Sequence, residues 1–339
     1  MRVVQIVRRF GPVGGMEKYV YELCLALDRL SCEVVVICES VECDLPNFRV
    51  LQVQQSLLKP RWVGMLGFRR KVRKLLRDEN LNSTNGWAVH SHERSVDHDV
   101  TTFHGPPMQG IQERKPFWFL SPRLWAWLRM EATELMGPNV KAVVPNSITI
   151  AEQLLDLYPA ISGKVTEPGW PGVSSESQVN EVPSNNILFV GKEWQRKGLP
   201  KAFEIVKALR ERYPQANYQL IVVGADKQQQ FNSPWVTWVP WTPDWLSLGG
   251  TLIHPASVEP YGMVVAEAWA AGLSVVVSSE SGVAGHLSEI PQLSSSQSVD
   301  DWVQAIRVAL GAPPIQRQLW FWDDLAESMQ VLYQGIRKQ

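Results

Sequence analysis

Short apolar runs alternate with amphipathic helical stretches, and the alternation is set up twice along the chain. No other feature limits the possible folds as strongly. Residues 3–7 are an apolar run, followed by Gly11-Pro12-Val13-Gly14-Gly15. Residues 16–30 then place Val20, Leu23, Leu27 and Leu30 at helical spacing, with Cys24 on the same face. Residues 33–38 return to a strand pattern. Strand, glycine loop, helix, strand is the opening of a parallel, doubly wound α/β sheet.

Further strands are expected at 87–92, 100–104 and 141–146, and a Pro/Gly/Ser-rich linker at 168–183. A second half then repeats the architecture. Strands are expected at 186–191, 218–224, 235–239, 250–255 and 273–278, and helices at 201–212, 262–271, 299–310 and 323–336. Gly272 stops the 262–271 helix as a C′ glycine. A length of 339 residues suits two such domains.

Bulk composition removes several function classes. The net charge of −1 gives no general attraction to nucleic acid. No apolar run is long enough to cross a bilayer, and residues 1–9 are too short and charged for a secretory leader. Cys24, Cys32, Cys38 and Cys43 contain no C-x-x-C pair, so free buried thiols in a reducing cytoplasm are expected. Residues 61–77 mix Arg61, Arg69, Arg70, Lys71, Arg73, Lys74 and Arg77 with Trp62, Leu66 and Phe68. Such a helix is either an ordinary solvated helix with an inward apolar stripe or one that lies on an anionic membrane. Tryptophan is abundant at 15 copies, clustered at 118–127 and 235–245, where packing is the expected use.

In open α/β sheets, ligands bind beyond the carboxyl ends of the strands, and four elements fall there. Gly14-Gly15-Met16-Glu17 opens a helix and lets backbone approach an anion, without the G-x-G-x-x-G dinucleotide fingerprint. In Gly191-Lys192-Glu193-Trp194-Gln195-Arg196-Lys197-Gly198, Lys192 and Lys197 can clamp a diphosphate. In Glu259-Pro260-Tyr261-Gly262-Met263-Val264-Val265-Ala266-Glu267, the amides of Gly262, Met263 and Val264 lack helical partners and suit a phosphate, while Glu267 reaches a diol. Finally, Thr101-Thr102-Phe103-His104 ends a strand with a histidine before a stiff Gly105-Pro106-Pro107. His90, His92, His98, Asp97 and Asp99 raise the question of a metal, but lack a familiar ligand spacing. For His92 or Glu93 an acceptor-pocket role is the better expectation.

Taken in order, these elements resemble the retaining glycosyltransferases of family 4, which have the GT-B fold. The family's G-G-x-E corresponds to Gly14 to Glu17, its strand-end histidine to His104, its G-R-x4-K-G loop to Gly191 to Gly198, and its E-x7-E to Glu259 and Glu267. A closing W-D-x-x-A-E corresponds to Trp322, Asp323, Ala326 and Glu327. The chain departs from the pattern at Lys192, which stands where the family has arginine and loses the bidentate fork. It departs again at Pro168 to Val173, a poor match to the family's P-N-G-V-D.

The resemblance implies two Rossmann-like doubly wound parallel-sheet domains facing across a cleft. The acceptor-side domain would span 1–167, the nucleotide-sugar domain 172–315, and a last helix in 316–339 would pack back on the first domain. It implies a hexose-type transfer from a UDP- or GDP-sugar to a glycan or lipid-linked acceptor, with retention and without a metal or cofactor. Lys192 and Lys197 would meet the leaving diphosphate, Glu259 a donor-sugar hydroxyl and Glu267 the ribose. Gly14 and Gly15 would approach the phosphates from the opposite domain, and Tyr261, Gly262, Met263 and Val264 would complete the donor site. His104 would sit near donor sugar and acceptor. Lipopolysaccharide core or envelope polysaccharide synthesis at the cytoplasmic face of the inner membrane is the expected setting. The rival expectations are a GT-B nucleotide-sugar epimerase and a non-catalytic nucleotide-sugar-binding protein.

Overall fold

In the computed structural model, residues 1–44, 47–56, 59–110, 117–174, 185–311, 317 and 319–337 are described. The chain divides into two units. One comprises Met1–Gly172 and Trp320–Gln339, the other Val173–Leu319.

The first unit is built on a six-stranded parallel sheet. Its strands are β1 (Arg2–Ile6), β3 (Glu33–Cys38), β5 (Arg49–Gln52), β6 (Trp87–Ser91), β7 (Val100–Phe103) and β8 (Ala142–Pro145), in the order β5-β3-β1-β6-β7-β8. A parallel sheet covered on both faces calls for nearly continuous apolar strands, and β3 supplies one from Val34 to Cys38. The central strand β1 breaks the pattern with Gln5, a fully buried amide. A small parallel pair, β2 (Arg9–Phe10) and β4 (Ser40–Val41), extends the edge of the glycine loop.

Among the described residues, the first unit's N-terminal portion carries the helices α1 (Gly15–Arg29), α2 (Arg61–Asp78), α3 (Pro122–Met136) and α4 (Ile148–Leu157). On α1, the spacing of Tyr19, Val20, Leu23, Cys24 and Leu27 produces its buried face. Helix α2 turns Met65, Phe68, Val72 and Leu76 into the core, with Trp62 and Leu66 packed against them. The apolar half of the basic 61–77 stretch is thus used inside the protein. Cys24, Cys32 and Cys38 are buried free thiols, and Cys43 is a half-buried one.

The expected linker at 168–183 has a different beginning. Gly169 N donates to Pro145 O, and a Cβ at Gly169 would crowd Val144 and the Tyr19 hydroxyl. Residues 168–172 are therefore packed parts of the first unit, while 175–183 lie outside the described residues.

The second unit has its own parallel sheet of β9 (Asn186–Val190), β10 (Gln219–Val223), β11 (Val236–Val239), β12 (Thr251–His254), β13 (Ser274–Ser278) and β14 (Gln292–Leu293), in the order β11-β10-β9-β12-β13-β14. Helices α5 (Leu199–Arg212), α6 (Met263–Ala270) and α7 (Val299–Gly311) flank it. One side closes over a core that includes Phe189, Ile205, Tyr218, Val276 and Trp302. After this unit, α8 (Trp322–Arg337) packs on α1 and completes the first unit. Leu325, Ala326, Met329, Tyr333 and Ile336 form its buried face.

Candidate active site

In the second unit, the carboxyl ends of β9 and β12 are tied together by a close backbone approach. The loop after β9 begins at Gly191 (φ +144°) and ends at Gly198 (φ +86°), the N-cap of α5. Gly198 lies against the Pro255 carbonyl so tightly that a Cβ would overlap it. This contact delivers Lys197 and Arg196 to the loop that follows β12. There Lys197 Nζ lies 3.1 Å from Glu259 Oε2, and Arg196 Nη1 lies 3.4 Å from the same oxygen. Arg196 also donates to Val258 O at 2.5 Å and pairs with Glu193 at 2.6 Å. His254 Nε2, at the end of β12 and wholly buried, stands 3.4 Å from Glu259 Oε2.

Burial opposes the charge on Glu259, but the adjoining His254, Lys197 and Arg196 outweigh it and hold the carboxyl well below the usual carboxylate range. The backbone at 259 is fixed as well, since Glu259 N donates to Glu280 O and Glu259 O accepts from Gly282 N. Gly262, at φ +103°, then turns the chain into α6, where Val265 N donates back to Gly262 O. The first amides of that helix point past its N-terminus, toward which an anion is drawn. Glu267 is half-buried on α6. Tyr261 is buried, with its hydroxyl 2.7 Å from His286 Nδ1. Lys192 is exposed at the start of its loop.

The first unit carries a cavity of about 470 Å³ at the carboxyl ends of β1, β6 and β7, lined among others by Arg8, Glu17, His92, Glu93, His104 and Glu134. His104 follows β7, and its Nε2 is 3.0 Å from His92 Nδ1. The edge of Tyr19 packs against the His104 ring at 4.9 Å between centroids. Burial lowers the His104 pKa to about 3, so the imidazole is neutral near pH 7. Burial likewise raises Glu93 to about 7, against the opposing pull of the Arg8 amide and guanidinium. Glu17, in the first turn of α1, pairs with Arg9 at 2.7 Å, and Gly14 O accepts from Lys18 N.

The loop after His104 is held by one carboxylate. Glu131, on α3, is fully buried and accepts from Arg94 at 2.9 Å, Met108 N at 2.7 Å, Gln109 N at 3.1 Å and the Tyr158 hydroxyl at 2.8 Å. Four donors on one carboxylate offset the large cost of burying it. The residues considered for a metal go separate ways. Asp97 pairs with Arg73, Asp99 accepts from Val89 N, and His98 bonds Ser95 and Glu134 O. Among the described residues, no three potential ligands converge.

Residues 13–167 match the family model described as Glycosyltransferase Family 4, and residues 184–311 match Glycosyl transferases group 1. The chain belongs to the family 4 glycosyltransferases. Its fold is GT-B. It is similar to the solved structure of WaaG, a glycosyltransferase involved in lipopolysaccharide biosynthesis, with 19% identity over 98% of this chain and 95% of that one and a TM-score of 0.77. Sucrose-phosphate synthase from Thermosynechococcus elongatus is 18% identical, with 99% and 98% covered and a TM-score of 0.73. The lipopolysaccharide outer core galactosyltransferase WaaB is 13% identical, with 100% and 98% covered and a TM-score of 0.58. No curated protein sequence matches the chain.

In this glycosyltransferase, the residues singled out by sequence fall into distinct groups. Lys197 and Glu259 are in direct contact, with Gly262, Met263 and Val264 following them into α6. His104 and His92 are joined in the first unit, near Glu17 and the start of α1 at Gly15. Tyr261 is buried, with its hydroxyl against His286. Sequence reasoning missed Arg196, His254 and Glu131. An arginine directly before Lys197, and a histidine closing the strand that leads to Glu259, were the available signals for the first two. Glu131 had none, because its partners are backbone amides and an arginine far along the chain.

Proposed function

We propose that this glycosyltransferase moves a hexose from a UDP- or GDP-linked donor to a hydroxyl of a glycan or lipid-linked acceptor, with retention and with no metal. The observation that carries the reading is the ionised Glu259 held against Lys197 and Arg196 at the approach to α6. A diphosphate arriving there takes over the two cations and the helix amides. Glu259 is then left to accept hydrogen bonds from the donor sugar. As the bond from the anomeric carbon to the phosphate oxygen breaks, the growing charge meets groups already oriented for it. The acceptor oxygen bonds to the same face of the anomeric carbon, and its proton passes to the departing phosphate oxygen. Glu267 holds the ribose, and Lys192 adds a mobile charge.

His104 and the first unit's cavity receive the sugars on the acceptor side. The likeness to WaaG and WaaB supports a lipopolysaccharide core or envelope glycan as acceptor. Incubation with radiolabelled UDP- and GDP-hexoses and a glycolipid extract tests this. Label is expected in the glycolipid with the anomeric configuration of the donor, and at the same rate in EDTA. An epimerised donor, bound donor without turnover, or loss of rate restored by manganese would each displace the reading.

A peripheral contact with the cytoplasmic face of the inner membrane is supported from a place other than the basic helix. Phe117, Phe119, Leu120 and Trp125 are exposed, Phe117 and Leu120 by 71% and 70%, and the Arg129 guanidinium on α3 lies over the Trp125 ring. Apolar and aromatic side chains next to a cation suit the lipid interface. Changing Phe117, Phe119 and Leu120 together to serine is expected to weaken binding to phosphatidylglycerol vesicles by about tenfold or more. Unchanged co-sedimentation would remove this surface from consideration.

A further inference from the structure

The first unit contains a run of buried polar side chains that links its last helix to His104. On the reading that His104 meets a sugar, we propose that this run is a one-way hydrogen-bond chain. It fixes His104 as the Nε2–H tautomer, so that Nδ1 faces the cavity as a hydrogen-bond acceptor for a sugar hydroxyl.

The direction follows from counting protons, starting at the Gln5 amide, whose nitrogen only donates and whose oxygen only accepts. Gln5 Nε2 donates to the Tyr333 oxygen at 3.0 Å. The Tyr333 hydroxyl proton then goes to its other partner, His90 Nδ1, 2.6 Å away. A neutral imidazole bare at Nδ1 is protonated at Nε2, so His90 Nε2–H donates to Thr102 Oγ1 at 2.8 Å. Gln5 Oε1 accepts from His92 Nε2–H at 2.8 Å, which leaves His92 Nδ1 bare. That nitrogen can accept only from His104 Nε2–H, 3.0 Å away.

Every member has one role, and every link is satisfied. The chain also explains why a glutamine stands in the central strand. Gln5 lies beside His90 in the β1–β6 register, and its amide provides one donor and one acceptor. Burial keeps all three imidazoles neutral, because it lowers His90 and His92 well below the ordinary value and His104 to about 3. No protonated imidazole breaks the alternation. Tyr333, Gln5 and His92 are thus positioning residues, acting through His104. The site prefers a sugar that presents a hydroxyl proton to Nδ1.

Long-range proton–nitrogen correlation spectra of the full chain, labelled with 15N-histidine, test the proposal directly. In the wild type, His104 is expected to show a protonated Nε2 and a bare Nδ1. A protonated Nδ1 would overturn the chain. Tyr333→Phe cuts the run at its middle. It is expected to give mixed tautomers at His92 and His104, with kcat lowered at least about tenfold and donor KM within about twofold. An unchanged His104 tautomer in this variant also overturns the proposal. Gln5→Leu cuts the neighbouring link and repeats the test should Tyr333→Phe fold poorly. If the tautomer changes while kcat does not, the chain stands, and it is the placement of a sugar at His104 that fails.

Discussion

Glu259→Gln is expected to lower kcat/KM for sugar transfer by about 10²–10³-fold and to reduce the melting temperature by on the order of 5–10 °C. Both effects come from one oxygen. Glu259 Oε2 is shared by Lys197, Arg196 and His254 at 3.1, 3.4 and 3.4 Å. Glutamine keeps the shape and removes the charge, leaving two cations facing each other in a mostly buried loop. Breaking a buried pair on one side costs about 3–5 kcal/mol, because the remaining charge is uncompensated. The partial exposure of Lys197 and Arg196 places the loss at the lower end of that range. Catalysis suffers separately. The diphosphate finds its cations displaced, and the donor sugar loses a charged hydrogen-bond acceptor. Initial rates with labelled donor, paired with thermal unfolding, measure the two effects. Transfer within twofold of the wild type would show that Glu259 is structural only.

Acid is expected to unfold this protein unusually early. All six of its histidines have pKa values pushed down by burial: His90, His92, His98, His104, His254 and His286. His98 and His286 fall to about 4 and His104 to about 3. A lowered histidine contributes its full stability above the unfolded value near 6.5 and loses it as the pH falls toward the folded value. In that window the unfolded chain takes up protons that the folded one refuses, at about 1.4 kcal/mol per group and pH unit. Glu93 and Glu134 work the other way, since burial raises both to about 7. Their contribution is lost as pH rises through 7 and returns on acidification. Setting these two against the six histidines leaves a net loss of at most about 5 kcal/mol per pH unit below about 6.5. Urea denaturation at pH 7.5, 6.5 and 5.5 measures the slope. A stability unchanged down to pH 5.5 would contradict the burial of these imidazoles.

Periodicity made the sheets legible. Strand β3 and helix α1 could be read because Val34 to Cys38 form one apolar run and Tyr19 to Leu27 keep helical spacing. Helix α3 could not be read this way. Its outward side carries Trp125 as well as charges, which blurs the contrast between faces. Its start was marked, however, by Ser121 as N-cap before Pro122. At the site, Lys197 and Glu259 were legible as charged residues in short loops after strands. Arg196 was passed over because the lysines at 192 and 197 already formed a pattern. His104 stood out beside Gly-Pro-Pro, but its partners could not. Gln5, His90 and Tyr333 meet only once β1 is placed beside β6 and the last helix has crossed back, a joining of residues more than 300 positions apart.

That crossing also has a consequence for the order of events on the ribosome. The first 172 residues emerge first, yet they lack the helix that supplies Leu325, Met329 and Tyr333 to their interior. Residues 173–319, by contrast, contain a whole sheet and the helices that cover it. The half made later is therefore the earlier one able to close. The half made first waits, with Gln5 and His90 unpartnered by Tyr333, until the last turn of α8 leaves the exit tunnel.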